Sequence, residues 1–177
     1  MAVHFSNKPF TDEKPQQLAE NLLKKIGVEK LYIADHGFSQ ADFLKHAEHK
    51  YICIFCRRMM LRVAEKIAEK EGCDFLVTGE NLGQVASQTL DNLSVTDSAI
   101  KIRIVRPLLG MDKREIIDIA TEIGTFEISK EPSICCNVVP KHPVTKCNIE
   151  RIEEQEAKID IKRLLDERMK NLKIKKL

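Results

Sequence analysis

Two cysteines separated by two residues stand directly before two arginines in Cys53-Ile54-Phe55-Cys56-Arg57-Arg58, and an adjacent pair, Cys135-Cys136, lies far along the chain. A CxxC pair has three chemical readings. It can be a redox site capping the helix that follows it, half of a zinc site, or part of an iron–sulfur ligand set. Zinc wants four ligands, and the side chains of two adjacent cysteines diverge. The spaced pair plus one thiol of the distant pair makes three thiolates, enough to hold a cluster that leaves one iron open to an exchangeable ligand such as sulfide. Residue types alone leave open cluster, zinc or redox pair, and unligated thiols. Cys73, just before an apolar run, reads as a packing residue, and Cys147 is unassigned.

A second stretch, Thr78 to Leu90 ("TGENLGQVASQTL"), ends an apolar run with Gly79 and follows it with an amide-rich segment. Gly79 would let a base or ribose approach the backbone, and Gln88 could hydrogen-bond it. The segment lacks the glycine count of a phosphate loop, so spacing alone favours a simple strand-to-helix turn. Arg57 and Arg58 at a helix start oppose the helix dipole, which argues for an anionic partner against the alternative of two solvated arginines. Arg106 at a strand end and Asp112-Lys113 at a helix start present the same choice between ligand and cap. His4 ends the first strand. His36, His46, His49 and His142 lie in polar segments without metal spacing.

These residues need a scaffold, and the periodicities supply one. "AVHF" (Ala2–Phe5) reads as a strand, Leu18, Leu22, Leu23 and Ile26 as one face of a helix ending at Gly27, and "LYIADH" (Leu31–His36) as a strand. A polar helix or loop over Ser39–Lys50 leads into the CxxC. Met60, Val63, Ala64, Ile67 and Ala68 then predict an amphipathic helix from Arg57 to Glu71, closed by Gly72. "DFLVTGE" predicts a buried strand, "LGQVASQTLDNL" a helix or loop, "IRIVRPLL" a strand, and "MDKREIIDIATEIG" a helix capped by Asp112 and stopped by Gly124. Alternating strands and helices predict a parallel α/β sheet, whose ligands bind beyond the strand C-termini.

The 177 residues suit one domain, with 43% hydrophobic content for a core and only 5% aromatic residues, so that core must be aliphatic. A net charge of +2 supplies no global field for nucleic acid, and any basic surface must be local. No export signal or membrane-spanning run is evident, so the reading is cytoplasmic, with the six cysteines serving thiolate or metal chemistry rather than disulfides. After Lys146 the composition shifts to a charged helix. Ile149–Ala157 carries four Glu and one Arg, and Lys158 onward eight Lys/Arg against three Asp/Glu. Acid first and base last suits a helix dipole; the alternative is a basic tip that touches RNA phosphates. The expected division is 1–148 and a charged helical extension, 149–177.

Taken together, "CRRMMLRVAEKIAEKEGCDFLVTGENLGQVASQTLDNL", "VRPLLGMDKREIIDIATEIGTFEIS" and "CCNVVPKHPVTK" resemble the PP-loop ATPase domain of the ThiI-type tRNA sulfurtransferases, the tRNA 4-thiouridine synthetases. The resemblance spans nearly the whole chain. It implies a Rossmann-like parallel sheet of the PP-loop (adenine nucleotide alpha-hydrolase) type plus a C-terminal helix. It also implies a reaction in which ATP and Mg²⁺ adenylate a tRNA uridine and sulfur displaces AMP to give 4-thiouridine, with bacterial members also supplying sulfur for the thiamin thiazole. Carried over by position, His4, Phe5, Arg57, Gly79 and Gln88 border the adenine site, and Cys136 matches the cysteine associated with sulfur transfer. Cys53 and Cys56 resemble the CxxC of archaeal members lacking a rhodanese domain, in which these two and Cys136 would ligate an iron–sulfur cluster. The implied partners are tRNA and a sulfur donor, either sulfide or a persulfide protein. No membrane is implied, and a homodimer is left open.

The family's pyrophosphate signature, SGGxDS, is absent from these 177 residues. In that fold it follows a central first strand lying between those corresponding to "AVHF" and "FLVTGE", so the expectation is a sheet lacking that strand. Adenylation by this chain alone is then in question. Three expectations follow: a truncated product, a split enzyme completed by a chain carrying SGGxDS, or a non-catalytic iron–sulfur-binding or sulfur-carrier descendant. The last would have no use for Gly79 and Gln88.

Overall fold

The structure, a computed structural model, describes residues 1–131 and 138–177. In chain order its elements are β1 (Ala2–Ser6), α1 (Lys14–Lys25), β2 (Lys30–Asp35), α2 (Gly37–His46), α3 (Ile52–Glu71), β3 (Phe75–Val77), α4 (Leu90–Asp97), β4 (Arg103–Val105), α5 (Lys113–Glu122), α6 (Phe126–Ser129), α7 (Ile149–Glu156), α8 (Ile161–Lys170) and β5 (Lys173–Lys176). Short 3-10 turns cover His49–Tyr51 and Ala86–Gln88. The chain forms two units. The first comprises Met1–Gly37, the described part of Met111–Asn137, and Asn171–Leu177; the second comprises Phe38–Gly110 and Val138–Lys170.

In the first unit β2 is central, parallel to β1 on one side and antiparallel to β5 on the other. Leu31, Tyr32 and Ala34 are fully buried. Because successive strand residues face opposite ways, burial of both Leu31 and Tyr32 means that both faces of β2 are covered. The C-terminal tail, expected to be helical throughout, ends instead as this edge strand. Its exposed Lys173, Lys175 and Lys176 are the residue type that keeps an edge from pairing further, and Lys175 also reaches Glu20 on α1 at 2.7 Å. Asp112 caps α5 as the sequence predicts: its carboxylate accepts from the N–H groups of Arg114 and Glu115, and Glu115 accepts in return from the Asp112 N–H. Gly37, where α2 begins, approaches the Lys8 carbonyl so closely that a Cβ there would overlap it.

The second unit is organised around α3. Phe55, Met59, Val63 and Ile67 recur every four residues and are at most 2% exposed. The buried stripe shares Val63, Ile67 and Ala68 with the expected one and leaves Met60 and Ala64 half-buried. The helix also begins at Ile52 rather than Arg57, because Ile52 and Phe55 are themselves core residues one turn apart, so the CxxC lies inside the first turns. Gly72, at φ 67°, ends it, and the Cys73 N–H closes back on the Ala68 carbonyl at 2.9 Å. The parallel pairing of β3 with β4 agrees with the α/β expectation, but β3 is not buried. Phe75, Val77 and Val105 are 52%, 62% and 43% exposed. α7 and α8 pack into this unit through Ile152, Ile159 and Leu164. Among the described residues no helix is long and apolar enough to cross a membrane.

Candidate functional site

Positions i, i+3 and i+4 of a helix share a face, so α3 presents Cys53, Cys56 and Arg57 together at its N-terminal end. Cys53 is half-buried and Cys56 is 8% exposed, and both are thiols. Arg57 pairs with Glu80, the residue that follows Gly79 beyond the end of β3. Burial depresses the Arg57 guanidinium from its ordinary value and neighbouring Arg106 adds to this, while Cys53 and Asp97 oppose it. Glu80 Oε2 also accepts from Arg106 Nε at 2.5 Å and from the Thr78 hydroxyl at 2.9 Å. Arg106 then grips Asp97 with both terminal nitrogens, at 2.9 and 2.5 Å. The result is a chain of alternating charges, Arg57, Glu80, Arg106 and Asp97, set at the C-terminal ends of β3 and β4.

Arg58 behaves differently from Arg57. It is 2% exposed, and its Nε and Nη2 each lie 3.0 Å from the Glu156 carboxylate on α7. Arg62 binds the same carboxylate at 2.7 and 2.8 Å. The anionic partner inferred from two arginines at a helix start is thus met within the protein, by Glu80 for Arg57 and by Glu156 for Arg58. Glu156 ties α7 to the helix that carries the thiols.

Gly79 is exposed, and a Cβ there would meet nothing within 4 Å, so its face is open to an approaching group. The following turn is held from inside: Gln88 Oε1 accepts from the Asn81 N–H at 3.1 Å, and Asn81 Nδ2 donates to the Leu108 carbonyl at 2.6 Å. Among the described residues the Gln88 side-chain NH₂ has no partner, and it is the half of the amide available to a ligand. Asn92 on α4, fully buried, donates to the carbonyls of Ala86 and Val144 at 2.9 Å each and accepts from the Cys147 N–H at 3.0 Å. One side chain therefore fixes the turn carrying Gln88 to the segment before α7. Burial, with the Asp91 charge adding, pushes the Cys147 thiol up to about 11, which marks it as a packing residue.

Arg57, Gly79 and Gln88 are thus brought together around one strand end, with Cys53 and Cys56 on the same helix face as Arg57. His4 and Phe5 belong to the other unit, on β1. His4 is half-buried, and desolvation lowers its pKa from 6.5 against the opposing charge of Glu20. Phe5 meets the buried His36 ring edge-on at 5.9 Å. Cys135 and Cys136 lie outside the described residues. Among the described residues no three His, Cys, Asp or Glu side chains are grouped to hold a metal. Cys53 and Cys56 can contribute two thiolates from one helix face, as a cluster ligand pair requires. Sequence reasoning did not single out Glu80, Asn92 or Glu156. Glu80 carried a legible signal, since an acid directly follows the strand-end glycine; Asn92 and Glu156 did not, because their partners are distant in sequence.

In mixed α/β folds the C-terminal ends of parallel strands are where ligands bind, and it is there that these titratable and amide groups gather. Residues 1–161 match the family model described as ThiI, thiamine biosynthesis protein, and the chain belongs to that family. It is 52% identical over 161 residues to a probable tRNA sulfurtransferase of Methanocaldococcus jannaschii, covering 84% of this chain and 42% of that protein. It is 42% identical over 171 residues to a probable tRNA sulfurtransferase of Caldanaerobacter subterraneus subsp. tengcongensis, covering 93% of this chain and 45% of the relative. Among solved structures, a 4-thiouridine synthetase in complex with RNA and bound ATP superimposes with a TM-score of 0.89 at 38% identity, covering 98% of this chain and 47% of that one. The chain thus spans just under half the length of the relatives it matches.

Proposed function

We propose that this chain provides the adenine-nucleotide and thiol part of a tRNA sulfurtransferase that makes 4-thiouridine, a part completed by a segment that carries SGGxDS. The observation that carries the reading is the likeness to the ATP-bound 4-thiouridine synthetase–RNA complex, which extends over 98% of the chain. Arg57, Gly79 and Gln88 support it by offering a cation, an open backbone and an amide donor around one strand end. His4 and Phe5 are the nucleotide contacts proposed for the first unit. Completion by a further segment is supported by Phe75, Val77 and Val105, an apolar sheet face that a two-stranded parallel pair leaves exposed.

The chemistry divides into two displacements. The uridine O4 attacks the α-phosphorus of Mg²⁺-bound ATP and pyrophosphate departs, converting a poor leaving group into AMP. Sulfide then attacks C4 and AMP leaves; from a persulfide protein the outer sulfur attacks instead, AMP leaves, and a second thiol displaces the donor's sulfur, forming a disulfide and freeing the C4 thione. Arg57 would offset phosphate charge in the first displacement. Gly79 and Gln88 would hold the base or ribose, so that the reacting atoms lie within roughly 3–3.5 Å. Cys136 is the proposed sulfur-transfer thiol. Cys53, Cys56 and Cys136 are the proposed ligands of an iron–sulfur cluster, which when bound would supply an iron site for sulfide.

The test is tRNA-dependent release of pyrophosphate from ATP by the chain together with a polypeptide bearing SGGxDS. Release that requires unmodified tRNA is expected; a rate unaffected by tRNA would overturn the reading. In parallel, the anaerobically reconstituted chain should bind iron and lose it when Cys53, Cys56 or Cys136 becomes Ala. Equal iron in the triple variant would remove the cluster from the account.

A further inference from the structure

We propose that Glu80 is a positioning residue for nucleotide binding, holding the Arg57 guanidinium at the end of β3. The inference rests on the reading of Arg57 as a nucleotide contact. Glu80 is 8% exposed, and both its oxygens are engaged, Oε1 by Arg57 and Oε2 by Arg106 and the Thr78 hydroxyl. Arg106 does not need Glu80 for neutrality, because Asp97 meets it with two hydrogen bonds of its own. The charge left for Glu80 to balance is therefore that of Arg57. Arg106 and Thr78 fix the carboxylate, and the carboxylate fixes Arg57.

Arg57 is a long side chain in the second turn of α3, near the positive end of the helix dipole. Among the described residues Glu80 is the group with which it pairs. It meets Glu80 Oε1 through Nη2, and a guanidinium fork has five N–H donors with which it can also serve a phosphate or ribose oxygen.

Two roles of Glu80 predict opposite signs. A carboxylate acting directly on a bound polyphosphate would repel it, so removing the charge would tighten binding. A carboxylate acting through Arg57 would, when removed, release the guanidinium and weaken binding.

Equilibrium dialysis of labelled ATP against the full chain together with a polypeptide bearing SGGxDS distinguishes them, using wild type, R57A, E80Q and the double variant. E80Q is expected to weaken ATP binding about tenfold, R57A at least as much, and the double variant no more than R57A alone. E80D keeps the charge on a shorter stem and is expected to restore part of the loss; it also serves as the readout if E80Q does not fold. No ATP binding by wild type, or equal binding by wild type and R57A, would overturn the reading of Arg57 and this inference with it. A weakened R57A beside an E80Q that is unchanged, tighter or additive with R57A would overturn the inference alone.

Discussion

Replacing Glu156 with glutamine should unfold the second unit far more readily than replacing Arg62, the partner nearer solvent. The carboxylate accepts four N–H groups, two from Arg58 at 3.0 Å and two from Arg62 at 2.7 and 2.8 Å. The Arg58 side chain is 3% exposed and cannot turn to water, although it keeps its bonds to the Val95 carbonyl and the Ser98 hydroxyl. Glutamine retains one acceptor and turns an NH₂ toward a guanidinium. Removing one partner from a buried ion group costs about 3–5 kcal/mol. At about 2–4 °C per kcal/mol for a chain of this size, the melting temperature should fall by roughly 6–20 °C. R62Q should cost only about 1 kcal/mol, because the Arg62 side chain lies nearer solvent and leaves the Arg58 pair intact. Urea unfolding followed by far-UV circular dichroism measures both. An E156Q variant within about 1 kcal/mol of wild type, or an R62Q variant as damaged as E156Q, would refute the idea that this triad clamps α7 to the helix bearing the thiols.

The same carboxylate gives a pH signature. Burial works to raise its pKa, but the hydrogen bonds and charges of Arg62 and Arg58 outweigh it and hold the folded value below 4.5. Its stabilisation is therefore complete above pH 4.5 and lost as pH falls through the folded value, and E156Q should lack that part of the acid limb. His4 should titrate below 6.5 by NMR; its neutral form stabilises the fold fully above that pH, and the contribution is lost on acidification through the folded value. N92A should cost about 3 kcal/mol in urea, since it leaves two half-buried carbonyls and the buried Cys147 N–H without their partner. Cys147, with its thiol at about 11 instead of 9.0, should carry roughly 100-fold less thiolate and resist iodoacetamide at pH 8 until urea is added, as followed by mass spectrometry.

Local signals in the sequence were read well where the physics is local. Asp112 with Glu115 three residues on, and Gly124 after the last apolar position, place α5 correctly because caps act within a turn. Gly72 closes α3 for the same reason. Periodicity misplaced the start of α3, since Ile52 and Phe55 satisfy the helix and the core at once while Arg57 only marks where charge begins. Phe75, Leu76 and Val77 look like a buried strand because an apolar run carries no record of what covers it. The tail shows the strongest non-local effect: Lys173–Lys176 has no intrinsic reason to be a strand apart from the open side of β2. Arg57, Gly79 and Gln88 were named as nucleotide contacts through resemblance, and folding gathers them around one strand end. Glu80 and Glu156 acquire their roles from partners that only folding brings near.

The account is tested most directly by following incorporation of labelled sulfide into unmodified tRNA. The chain would be supplied with ATP, Mg²⁺ and a polypeptide bearing SGGxDS, beside the same mixture containing C136A. The expected result is ATP-dependent 4-thiouridine with the wild-type chain and none with C136A. Label in tRNA that needs no ATP, or equal thiolation by C136A, would contradict it.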